Sequence, residues 1–316
     1  MIAKNVKRIA AALTAVLVLF VSSCAAGGNK RDSGLPLITV TSFPLYDMVE
    51  NLVGENAEVV CLLPPGAESH DFDPSIKDIG NVADSALFVY CGNGLEEWAE
   101  SLFESAGGKA TAVDVSVGTE LMYQDSGDRE NTDHNDHGHT HGADPHLWTS
   151  PENMIKMAAV VYDVLNEIGL ADEELYDSYN ALLGELDERT RSLSAKQSEN
   201  GKTLFFGDAF AFLYLMKDYD FKYVSTFPGC SDDVEPSIAR ISEVTKLIAA
   251  EPTPPRVIFR AERSEGKIAV SLAETVGAEV LELHSCHNLT AEEYDAGETY
   301  FSLMSRNLDN IEKALS

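Results

Sequence analysis

The chain has 316 residues, 44% of them hydrophobic and 24% charged. This composition fits globular domains and excludes disordered, collagen-like and polytopic membrane chains. Its 23 Lys and Arg against 52 Asp and Glu give a net charge of −29. A surface this acidic repels phosphate backbones and excludes nucleic acid as a partner, while it concentrates cations within a Debye length of about 8 Å.

Lys4, Lys7 and Arg8 precede an apolar run from Ile9 to Val21, broken only by Thr14. A run of about 13 residues is too short for a helix to cross a bilayer core of about 30 Å, and it has the form of a signal-peptide core. It ends in Val21-Ser22-Ser23-Cys24, which resembles a bacterial lipobox. Residues 1–23 are therefore expected to be a lipoprotein signal peptide, with Cys24 lipidated as the mature N-terminus. Residues 24–34 read as a flexible tether.

From Leu35 onward short β-rich runs alternate with amphipathic helices. Leu37–Thr41, Ala57–Leu63, Ala86–Cys91 and Thr111–Val115 read as strands. Leu45, Met48, Val49 and Leu52 fall at i, i+3, i+4 and i+7 ahead of Gly54, a helix stripe with its stop signal. Leu95, Trp98, Ala99, Leu102 and Phe103 form another stripe. The segment 124–143 is polar and rich in Asp and His, and reads as a loop. Pro151 to about Ser198 reads as helical with an interruption near Gly169. Alternation then resumes through strands Thr203–Phe206, Tyr223–Phe227, Val257–Phe259 and Glu279–Leu283. Helices fill the intervals, running through Met216, from Ser237 to Ala250 and from Lys267. A last helix carries Phe301, Met304, Leu308, Ile311 and Leu315 on one face.

Alternating units of this kind imply parallel sheets covered by helices. The expected fold is α/β, with two lobes, each a parallel-sheet βα sandwich, joined by a long linking helix. The N-terminal lobe takes residues 35–150, the linking region 151–199 and the C-terminal lobe 200–316. A ligand belongs in the cleft between the lobes, at the carboxyl ends of the strands.

All eight histidines lie outside the periodic segments. His134, His137, His139 and His141 sit in the acidic loop. His70 follows the second strand, His146 precedes the helical region, and His284 and His287 follow the last strand. Three separate loops thus each bring imidazole near a strand end or a helix start. Neutral imidazole suits Zn, Cu, Ni and Fe, and three or four around one tetrahedral centre would make a zinc site. Of the cysteines after Cys24, Cys61 and Cys91 lie in apolar runs and read as buried thiols. Cys230 and Cys286 lie in polar loops, as candidates for a disulfide or as two thiols or a thiolate ligand.

Three stretches carry a family resemblance. PPGAESHDFDPSIKDI, DPHLWTSPENM and the closing AGETYFSLMSRNLDNIEKAL together resemble the metal-binding lipoproteins of bacterial zinc and manganese ABC importers, over essentially the whole chain after Cys24. The resemblance implies two lobes bridged by a long rigid helix, and places His70 and His146 as metal ligands. It also exposes a departure. The family's third ligand is a histidine opening a His-x-Ala-Phe motif, and here Gly207 stands at that position, followed by Asp208. The family's fourth ligand, an Asp or Glu, aligns with His284, while His287 has no assigned counterpart. The LHSCHN loop is expected to make up the deficit through His284, His287 or both, with Asp208 and Glu262 as further carboxylates. A Cys230–Cys286 bridge would brace that loop.

The chain is accordingly expected to be no enzyme but an extracytoplasmic, membrane-anchored lipoprotein that works as a monomer. It would capture Zn²⁺ as cargo, in preference to Mn²⁺, and deliver it to an ABC permease. The four loop histidines would collect metal weakly, since imidazole among carboxylates prefers zinc to manganese in the Irving–Williams order. The rival readings are a zinc-dependent hydrolase, and a manganese-binding or adhesin lipoprotein on the same scaffold.

Overall fold

The computed structural model describes residues 34–67, 72–92, 96–123, 143–227, 229 and 236–316. The signal-peptide and lipidation expectations, with Cys24, fall outside these residues. Leu35–Ser316 forms one unit, built on two four-stranded sheets in which every pairing is parallel. The first half runs β1 (Leu37–Val40), α1 (Phe43–Val53), β2 (Glu58–Cys61), α2 (Ile76–Asp84), β3 (Leu87–Tyr90), α3 (Glu97–Ser105) and β4 (Thr111–Asp114). Two helices follow, α4 (Pro151–Glu167) and α5 (Glu173–Asn200). The second half runs β5 (Leu204–Phe206), α6 (Leu213–Asp218), β6 (Tyr223–Ser225), α7 (Ile238–Ala250), β7 (Val257–Ala261), α8 (Lys267–Val276) and β8 (Glu279–Leu283). It closes with α9 (Ala291–Ala296) and α10 (Tyr300–Leu315).

The sheet orders are β2-β1-β3-β4 and β6-β5-β7-β8, the same arrangement twice. Strand order reverses beside β1 in one sheet and beside β5 in the other, and the carboxyl ends at such a reversal form a crevice. The expected two-sheet α/β architecture is therefore the observed one. The stop signals act as expected: Gly54 ends α1 with φ +50°, and Gly169, with φ +75°, lies in the break between α4 and α5. Asp172 starts α5 by accepting the N–H groups of Glu174 and Leu175, which satisfies two otherwise unpaired donors of the first turn. The helices α2 and α9 have no counterpart in the sequence reading. Both are short, carry few buried residues, and begin with a capping box at Ser75 and Thr290, so their start signal is polar and not a periodic apolar stripe. On α10 the deeply buried aromatic is Tyr300, while the expected Phe301 is only partly buried.

Both faces of each sheet are covered. Leu87 and Val89 point into a core shared by the two halves, while Phe88 between them joins an outer cluster with Val82, Ala99 and Leu102. Leu204 and Phe206 likewise face the shared core, and Phe205 faces an outer cluster with Val244, Ile258 and Leu272. This is the period-two alternation of a strand applied to two apolar faces. Leu183, Leu186 and Leu193 of α5 and Leu303, Leu308 and Ile311 of α10 belong to the shared core, so one continuous apolar body underlies both sheets. Among the described residues, no helix is long and apolar enough to cross a membrane.

At the end of β5 the backbone runs against α8 so closely that a Cβ on Gly207 would lie 2.5 Å from the Cα of Ala269 and 2.9 Å from its N and Cβ. Gly207→Ala is therefore expected to cost about 1–3 kcal/mol in urea unfolding, and Gly207→His more; a variant with parental stability would contradict the contact. Asp47 of α1 is buried and accepts the Tyr300 N–H at 3.2 Å, at the first turn of α10. Burial pushes its carboxyl up to about 6, with Glu50 adding to the rise against the hydrogen bond from the Tyr300 N–H. The folded chain then holds this proton more tightly than the unfolded one. The resulting stability is fully present below the ordinary carboxylate range and is lost as pH rises through about 6. Asp47→Asn should shrink the stability difference between pH 5 and pH 8 by about 1 kcal/mol, and urea unfolding at the two pH values measures it.

Candidate metal centre

His146 leads into a short 3₁₀ turn, Leu147–Thr149, just before α4. The residue is 2% exposed. Asp144, also buried, accepts both the His146 backbone N–H and the ring Nδ1–H, each at 3.0 Å. A carboxylate can only accept, so the proton belongs on Nδ1 and the lone pair on Nε2. This is the arrangement by which a carboxylate orients a metal-binding imidazole and raises its basicity.

His287 lies on the loop after β8, buried, with its ring centroid 6.3 Å from that of His146 at an interplanar angle of 90°. Trp148 adjoins both. It stacks on His287 at 5.6 Å and 24°, and meets His146 edge-on at 5.6 Å. The indole Nε1–H donates to the Ser285 carbonyl at 2.8 Å, and the Trp148 carbonyl accepts the Tyr300 hydroxyl at 2.5 Å. The structure therefore brings together two of the expected histidines, one from each half of the chain.

His284 is placed differently. Its Nδ1 accepts the Cys286 N–H at 2.9 Å, and its Nε2 lies 3.5 Å from Glu293 Oε1. Asn307 holds its backbone on both sides, donating to its carbonyl at 2.7 Å and accepting its N–H at 2.8 Å. One ring nitrogen thus accepts a backbone N–H of its own loop, and the other faces the Glu293 carboxylate. Glu262 faces Ser285 with both oxygens, accepting its N–H at 3.0 Å and its hydroxyl at 2.5 Å. Asp208 is buried beyond the end of β5; Oδ1 accepts the Ala209 N–H at 2.9 Å, and Oδ2 has no hydrogen-bond partner among the described residues. It does not cap a helix, because α6 begins only at Leu213.

The expected Cys230–Cys286 bridge is not made: Cys286 is a free thiol. Its side chain turns into the shared apolar core, with Sγ 3.6 Å from the His284 carbonyl. Burial pushes this thiol well above its ordinary range, and Glu262 and Asp47 add to the rise, so it is protonated and not a thiolate. Cys91 is wholly buried, as expected, but Cys61 is only partly so. Cys230, His70 and the loop histidines His134, His137, His139 and His141 lie outside the described residues. Among the described residues, no three His, Cys, Asp or Glu side chains are gathered closely enough to hold an ion.

Several residues that build this site carry no motif of their own. Asp144 and Trp148 could have been picked out as the neighbours of His146 at two residues on either side, and Ser285 and Asn288 adjoin His284 and His287, but no residue type there announces what each one holds. Asn288 donates to the carbonyls of Pro64 and Ala67 at 2.8 and 2.9 Å, and Gly66 N–H donates to the Leu289 carbonyl at 2.7 Å. These bonds tie the loop after β2 to the loop after β8. Glu96 is buried at the ends of β1 and β3, where its Oε2 accepts the Thr41 hydroxyl at 2.6 Å and the Cys91 N–H at 2.8 Å. Burial pushes this carboxyl up to about 7, against those hydrogen bonds.

Comparison with known proteins bears on this geometry. The chain is 34% identical over 310 residues to the high-affinity zinc uptake system protein ZnuA of Bacillus subtilis, covering 95% of each. It is 28% identical over 309 residues to the zinc-binding lipoprotein AdcA of Streptococcus pneumoniae, covering 97% of this chain but spanning only 61% of AdcA. Among solved structures, the Zn(II)-bound ZnuA-like domain of S. pneumoniae AdcA superposes with a TM-score of 0.69 at 27% identity, over 89% of this chain and 99% of that one. These are transport components and not enzymes, which sets aside the hydrolase reading. Residues 38–314 match the family described as "Zinc-uptake complex component A periplasmic", and the chain belongs to that family.

Proposed function

We propose that this protein captures Zn²⁺ outside the cytoplasm and hands it to an ABC permease in the membrane, to which Cys24 would keep it tethered through lipid. His146 and His287 are the ligands that the described residues supply. His70, which follows β2 in the sequence, would add a third imidazole. The observation that carries this reading is the buried pair of rings, one from each half, with His146 held by Asp144 in the tautomer that leaves Nε2 for a metal. Nitrogen-rich coordination favours zinc over manganese. The cargo is bound and released unchanged, so no bond is made or broken in it.

Isothermal titration or chelator competition tests the ligand set. His146→Ala and His287→Ala should each weaken zinc binding by at least about tenfold. His284→Ala should leave zinc affinity near the parent's and instead lower stability, since its ring braces the backbone of its own loop. Parental affinity in His146→Ala would sink the assignment. Because imidazole must be neutral to bind, affinity should fall as pH drops through about 6.5. Removing residues 128–141 should lower the number of zinc ions bound and leave one tight site, which equilibrium dialysis can count.

A further inference from the structure

We propose that Glu262 is a positioning residue that sets the two imidazole-bearing loops in place, and that it is not itself a metal ligand. The proposal rests on the zinc-site reading above and concerns how that site is held before metal arrives. Glu262 follows β7, and Ser285 follows β8, the strand paired with β7. Two donors of Ser285, its N–H and its O–H, converge on the two oxygens of Glu262 at 3.0 and 2.5 Å. Only a carboxylate offers an acceptor to each; a carboxamide offers one acceptor and one donor.

Ser285 is in turn the point where the two loops meet. Its carbonyl accepts the Trp148 Nε1–H at 2.8 Å, and its hydroxyl oxygen accepts the His287 N–H at 3.3 Å. Trp148 lies two residues beyond His146, and its ring is stacked on His287. The backbone N–H, the carbonyl and the hydroxyl of Ser285 are thus all engaged, and every partner is a metal-loop residue or Glu262. Between Ser285 and His287, Cys286 sits at φ +59°. A non-glycine residue adopts this left-handed conformation only when its surroundings hold it there, and the hydrogen bonds flanking it do so. On the far side of His287, Asn288 is anchored to Pro64 and Ala67. The loop is fixed on both sides of the ligand, and Glu262 supplies the charged end of that brace. Charge-assisted bonds of this kind are the stronger ones, and outer groups that orient metal ligands are worth about 10–100-fold in affinity.

The test uses the full chain, zinc by chelator competition, and Co²⁺ in place of zinc for its visible spectrum. Glu262→Ala is expected to lose about 10–100-fold in zinc affinity. Glu262→Gln, which keeps an acceptor for the Ser285 N–H, should lose less. The Co²⁺-saturated variants should show the parent's band positions and intensities, because no donor atom has left the ion. A changed cobalt spectrum at saturation would make Glu262 a ligand and overturn the proposal, as would parental zinc affinity in Glu262→Ala. If Glu262→Ala does not fold, Ser285→Ala takes its place: it removes the hydroxyl between Glu262 and His287, and the same two readings decide. A parent that holds no zinc overturns the functional reading and this one together. A parent whose zinc depends on His146 and is indifferent to Glu262 overturns this one alone.

Discussion

Asp144 accepts hydrogen bonds from both the backbone and the ring of His146, and what the neighbouring loop can do follows from that carboxylate. It fixes which nitrogen carries the proton, fixes the plane of the ring, and does so where water is excluded. An unoriented imidazole would have to be immobilised at the moment of binding; here that ordering has been met during folding, by the same hydrogen bonds that build the loop. Asp144 is itself tied to the second half, since its carbonyl accepts the Tyr214 hydroxyl at 2.9 Å. The orientation of one ligand thus depends on packing across the whole molecule.

The repeated sheet order explains why two ligand loops can meet. Each half sends the carboxyl ends of its strands toward the same crevice, and a shared core under α5 and α10 holds the halves together. Across the crevice the contacts are polar and each ends on a backbone carbonyl: Gly66 to Leu289, Asn288 to Pro64 and Ala67, Trp148 to Ser285. Backbone carbonyls and N–H groups cannot be relocated by rotating a side chain, so this seam has a defined register. Metal held between His146 and His287 would add to a set of bonds already spanning the seam.

The second half also shows how a site can be moved within a fold. At Gly207 the end of β5 lies so close to Ala269 that no side chain fits. The position at which the family resemblance calls for a histidine is closed by the packing of α8, and not merely unfilled. His287, on the loop after β8, lies instead beside His146 and Trp148. The strong negative charge of the chain draws in cations over about a Debye length, while the His146 and His287 rings stay buried.

What the sequence determined by itself was the alternation of strands and helices, the helix stops at Gly54 and near Gly169, and the placement of every histidine outside the periodic segments. Those features are local: apolar spacing, glycine conformation and loop composition act over a few residues and need no partner. It did not decide between His284 and His287, which lie three residues apart in one loop. Their roles depend on Cys286, Glu293 and Asn307 around one ring, and on Trp148 and His146 beside the other, and these partners come from distant parts of the chain. Nor did sequence separate a carboxylate that would ligate from one that holds a loop, as at Glu262, or a cysteine that would bridge from one turned into the core, as at Cys286. A side chain's chemistry is set by what fills the other end of its hydrogen bonds, and only tertiary packing supplies those groups.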